Sequence, residues 1–157
     1  MTMPHWSELK NPHCFIALSF GAGLAPFSPG TAGAIIALPI AWALWHAGLS
    51  VIGCLIVVFL LFLLGVACCS KAEERLGQAD HPNVVWDETV AMLFILCFLP
   101  PDWSRWLVAL VAFRFFDILK PWPIRLADTW FRHGWAIMID DVFAAVPALA
   151  LALLWPW

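Results

Sequence analysis

Two acidic doublets, Asp87-Glu88 and Asp140-Asp141, and a single Asp117 stand among apolar residues in a chain of 157. Carboxylates grouped in this way do two kinds of chemistry: they move protons, and they hold hard divalent cations through oxygen. An all-oxygen donor set suits Mg²⁺, Ca²⁺ or Mn²⁺, whereas zinc would draw His or Cys, and only His81 is near in sequence. Arg114 and Asp117 are spaced i, i+3 and share a helix face. Lys120 precedes Pro121, which biases it toward extended backbone at a helix end. Either cation is suited to clamp a phosphate beside a metal. The plainer alternative is that the acids pair with Arg114, Lys120 and Arg125 to hold helix ends. Arg114 and Lys120 neutralise two charges at most, so five carboxylates leave room for a divalent cation.

Gly21 to Gly33 (GAGLAPFSPGTAG) forms a glycine- and proline-rich loop entering a helix. Backbone N–H groups at such an entry make an anion site, and small residues equally allow close helix packing. The Walker pattern G-x-x-x-x-G-K-[ST] is missing. Cys69 and Arg75 match the C-x5-R spacing of cysteine phosphatases, but the residues between them lack glycine, and Glu73 and Glu74 would repel phosphate.

The elements that must position these groups follow from composition. The chain is 63% hydrophobic and 12% charged, where soluble domains run near 45–50% and about 25%. No charge occurs from Asn11 to Ser70. A chain this short cannot hide that much apolar surface from water. Disorder, a disulfide-stapled domain and an ordinary soluble globule are excluded, as is a nucleic-acid binder, since net charge is −3 with no basic tract. The five cysteines read as small hydrophobes, and no signal peptide is evident. The chain therefore reads as one domain over residues 1–157, an all-α polytopic membrane bundle of about five spans.

Residues 50–70 supply a full span, and 31–47 a shorter one containing Pro39. Residues 89–100, 103–116 and 142–157 are apolar but short, and reach across only if polar flanks continue each helix. Residues 13–26 read as a re-entrant or interfacial segment. Lys10, Lys71, Arg75, Lys120, Arg125 and Arg132 fall on one side and Arg105 on the other, which places the first set in the cytoplasm. The five acids then arrive at the cytoplasmic ends of three helices, at headgroup depth. Transporters place their acids nearer the midplane, often in repeated halves; a small divalent-cation carrier or channel subunit is the alternative.

Four blocks, FGAGLAPFSPGTAG (20–33), VWDE (85–88), FRFFDILKPWPI (113–124) and IMIDD (137–141), together resemble the phosphatidylglycerophosphatase A family. Ala34, Ala91, Ala136 and Ala145 stand where the family pattern carries glycine or a small polar residue. The resemblance implies a Mg²⁺-dependent lipid phosphatase of the bacterial inner membrane, with its site facing the cytoplasm. It would convert phosphatidylglycerophosphate to phosphatidylglycerol and inorganic phosphate. Carried onto this chain, Asp87, Glu88, Asp140 and Asp141 are expected at the metal. Asp117, Asp141, Arg114 and Lys120 are expected in catalysis, and Gly30, Thr31 and Arg125 at the substrate. The partners implied are the lipid substrate and the bilayer; oligomeric state stays open.

Overall fold

A computed structural model describes residues 4–79, 81–119 and 134–155. The described residues are helical and contain no strand. A 3-10 turn at Trp6–Lys10 leads into α1, Pro12–Ala17, whose N-terminus Asn11 caps by accepting the amides of His13 and Cys14. A second 3-10 stretch, Ser19–Leu24, is kinked at Phe20 and Gly21, both at positive φ. Then come α2, Pro29–His46; α3, Val51–Leu76; α4, Trp86–Leu96; α5, Trp103–Leu119; and α6, Gly134–Leu154. Ser50 caps α3 by accepting the Gly53 amide, and Gly77 ends it in the left-handed conformation, where a Cβ would be strained.

The residues expected to form an interfacial segment, 13–26, fold as α1 and the kinked turn. Two described stretches, Val51–Leu76 and Ile137–Leu154, are long and apolar enough to cross a bilayer. The expected short spans differ in outcome. α5 runs to 17 residues and α6 to 21, the latter continued backward past its acidic doublet, while α4 stays at 11. At 1.5 Å per residue α4 is only about 16 Å long.

α4 is nevertheless the centre of the bundle. It packs on α2, α3, α5 and α6, and Trp86, Asp87, Thr89 to Leu93, Ile95 and Leu96 are all buried. A helix apolar on every side belongs in a core, and this one has a polar first turn. Small residues let its neighbours close on it. A Cβ at Gly33 would lie 2.6 Å from the Val85 carbonyl, and one at Gly65 2.6 Å from the Trp86 ring. The Ser19 and Thr89 hydroxyls are hydrogen-bonded, 2.7 Å apart, and Thr89 donates to the Gly33 carbonyl at 2.8 Å. Val85 N–H donates to the Ala17 carbonyl, and the Asn83 amide to that of Gly23. These bonds fix the N-terminal turn and the start of α2 against the entry of α4. Beyond the other end of α4, a cavity of about 320 Å³ is lined by Ala41, Leu44, Cys54, Leu96, Cys97 and Trp106 among others.

Candidate active site

Asp87 and Glu88 occupy the first turn of α4, where the partial positive charge of the helix N-terminus favours carboxylates. Asp140 and Asp141 were expected to open the last helix. α6 begins at Gly134 instead, so both lie well inside it, buried at 5% and 4% exposure. The apolar run Trp135 to Ile139 continues the helix backward and carries the doublet inward, opposite the first turn of α4. One oxygen each from Asp87, Glu88 and Asp141 then fall within 4.8 Å of one another. Asp140, expected as a fourth ligand, is buried beside this group without belonging to it.

Arg114 and Asp117 meet as their spacing predicts. Arg114 Nη1 lies 2.5 Å from Asp117 Oδ2 and 3.6 Å from Glu88 Oε1, so one guanidinium links the acids of α4 and α5. All three side chains are at most 15% exposed. Gly30, in the first turn of α2, seals this group from the side. A Cβ there would meet Glu88 Oε1 at 2.2 Å and the two Arg114 Nη atoms at 2.8 and 2.9 Å. Of the two uses open to the glycine-rich loop, close packing is thus realised at Gly23, Gly30 and Gly33. Thr31 is half-buried, its hydroxyl 2.7 Å from that of Ser28. Lys120 and Arg125 lie outside the described residues.

Three converging carboxylates repel one another in a site poor in water. Asp87 Oδ1 and Glu88 Oε2 are buried and have no hydrogen-bond partner among the described residues. Orphaned, buried carboxylate oxygens are costly unless something cationic takes them up. The donor set is all oxygen, of a kind that suits Mg²⁺. The residues present fit such an ion.

The C-x5-R pair does not assemble. Cys69 is fully buried on α3, while Arg75 points away, 2.5 Å from Glu8 and half-exposed. Glu73 and Glu74 also part company, with Glu73 buried and Glu74 exposed. Glu73 is a buried carboxylate that sequence reasoning did not single out. The two adjacent glutamates carry no mark of which one is buried.

The chain is similar to known proteins along most of its length. The sequence profile of the phosphatidylglycerophosphatase A family matches residues 15–155. A phosphatidylglycerophosphatase A of Haemophilus influenzae is 42% identical over 146 residues, covering 90% of this chain and 87% of its own. That of Escherichia coli K12 is 37% identical over 147 residues, covering 88% and 80%. A Bacteroides thetaiotaomicron protein, provisionally named a phosphatidylinositol-3-phosphatase, is 36% identical over 156 residues, covering 90% and 92%. No solved structure matches. With Gly30, Asp87, Glu88, Arg114, Asp117 and Asp141 brought to one acidic site, the chain belongs to the phosphatidylglycerophosphatase A family.

Proposed function

We propose that this protein hydrolyses the terminal phosphate monoester of phosphatidylglycerophosphate, giving phosphatidylglycerol and inorganic phosphate. The observation that carries the reading is the convergence of Asp87, Glu88 and Asp141 beside Arg114. Asp87, Glu88 and Asp141 would hold Mg²⁺, which when bound supplies positive charge to the phosphoryl oxygens. Arg114 donates to a phosphoryl oxygen as charge builds there, and Asp117 holds its guanidinium in place. Asp117 is not among the three clustered ligands, so it is the carboxylate we assign to accept the proton of the attacking water. Water oxygen bonds to phosphorus in line with the departing glycerol oxygen, the P–O bond breaks, and that oxygen takes up a proton from solvent while Asp117 releases the one it accepted. Gly30 keeps the wall beside Glu88 and Arg114 thin enough for them to meet.

In this reading α2 to α6 all cross the bilayer, α4 inside a sleeve of the others. The excess of Lys and Arg around residues 10, 71–75 and 120–132 supports a cytoplasmic site. The phosphate of an inner-leaflet lipid would then reach the acids at headgroup depth. The test is phosphate release from phosphatidylglycerophosphate by detergent-purified protein, with Mg²⁺ and then with excess EDTA. Release that EDTA abolishes and Mg²⁺ restores, in wild type and in C69S, is expected. Release unaffected by EDTA would overturn the metal assignment, and no release from folded protein would overturn the activity.

A further inference from the structure

The loop that delivers Gly30 to the site carries a feature the reaction above does not use. Phe27 is 88% exposed, the most exposed large apolar side chain among the described residues. It is held there firmly. Pro26 and Pro29 each fix φ on either side of it, and Ser28 is left-handed at φ 47°, a conformation costly for a residue with a Cβ. The Ser28 and Thr31 hydroxyls, 2.7 Å apart, tie the loop to the first turn of α2. Strain of this kind persists where the surroundings over-determine it, and it gathers at ligand clamps. The neighbouring aromatic at a positive φ, Phe20, uses its ring differently, packing edge-on against Phe15 and Trp86.

Phe27 is three residues from Gly30, which touches both Glu88 and Arg114. Three residues reach at most about 10 Å, the scale of a glycerophosphoglycerol head group. A substrate whose phosphate sits at Arg114 has its ester-linked chains leaving the site within reach of that ring. Aromatic side chains are favoured at this headgroup–acyl boundary and disfavoured in water.

Resting on the function proposed above, we infer that Phe27 contacts the first methylenes of the substrate's own acyl chains and so selects diacyl lipid over the bare head group. The chemistry remains with the acids and Arg114. Phe27 supplies apolar contact that a substrate without acyl chains cannot use.

The experiment measures kcat/KM in detergent micelles for dioleoyl phosphatidylglycerophosphate and for its deacylated head group, glycerophosphoglycerophosphate, with wild type, F27S, F27L and F27W. The protein is micelle-embedded with both substrates, so anchoring of the loop in surrounding lipid weighs on both equally. F27S is expected to lower the dioleoyl-to-deacylated ratio about tenfold, the worth of partial burial of a phenyl ring. Its rate on the deacylated head group should stay at the wild-type value, and F27L or F27W should restore most of the ratio. An unchanged ratio in F27S, or an equal loss on both substrates, would overturn the inference while leaving the phosphatase reading intact. Failure of wild type to release phosphate from either substrate would instead strike the phosphatase reading.

Discussion

Gly30→Ala separates positioning from stability. The added methyl would sit 2.2 Å from Glu88 Oε1 and 2.8–2.9 Å from the Arg114 guanidinium, where ordinary contact begins near 3.4 Å. The atoms it meets are the far ends of two flexible side chains, so the fold can yield by swinging them away. Alanine is also the better helix former, by up to about 1 kcal/mol. Thermal stability in detergent should therefore stay near the wild-type value. Activity should not, because Glu88 and Arg114 retreat by roughly 1 Å and a shift of that size costs about 10²-fold in rate. Gly33→Ala is the matched control. Its methyl would meet the Val85 carbonyl at 2.6 Å and Val85 Cβ at 2.9 Å, groups that move only with the backbone. It should lose about 1–3 kcal/mol of stability, as overpacked cores do. The assay is kcat alongside a thermal melt for each variant. A G30A protein with wild-type kcat, or with a melting temperature lowered as far as that of G33A, would refute the reasoning.

Three other outcomes follow from the site and its surroundings. D87N, E88Q and D141N should each lower kcat by about 10²-fold or more and raise the Mg²⁺ concentration for half-maximal activity, since each removes a proposed ligand; a Mg²⁺ titration reads both. R114K should lose about 10²-fold in kcat, because an ammonium lacks the planar fork with which a guanidinium can hold Asp117 and a phosphoryl oxygen at once; wild-type turnover in that variant would show that only charge matters. His81 is buried between α3 and α4, accepts the Asn83 amide on Nδ1, and burial lowers its pKa from 6.5. A histidine kept neutral by the fold binds its proton more readily when unfolded, so its contribution is present above pH 6.5 and lost as pH falls through the folded value. Melting temperature measured between pH 7.5 and 5 should fall with acid in wild type and fall less steeply in H81Q.

What the sequence revealed depended on how local each signal was. Charges in an apolar chain are conspicuous, so the acids of the site were legible as a group. The Arg114–Asp117 contact follows from a spacing within one helix. Gly30 against Glu88 joins residues 58 positions apart in sequence, and no periodicity encodes that contact. The start of α6 was misjudged because Trp135 to Ile139 is as apolar as the helix it continues, leaving the acids themselves as the apparent boundary. The burial of Glu73 was hidden for a related reason: only the packing of α3 distinguishes it from Glu74.

On the proposal that α2 to α6 cross the bilayer, the brevity of α4 makes the membrane itself a variable of the fold. A central helix of 11 residues covers about 16 Å where the hydrocarbon is about 30 Å thick. Above its far end, the cavity beside Leu96, Cys97 and Trp106 occupies part of the remaining depth. In a bilayer-spanning bundle that mismatch is met by local thinning, by tilt of the longer helices, or by water standing in the cavity. Lipid chain length and sterol-like thickening then act as mechanical loads on the same helix whose first turn carries Asp87 and Glu88.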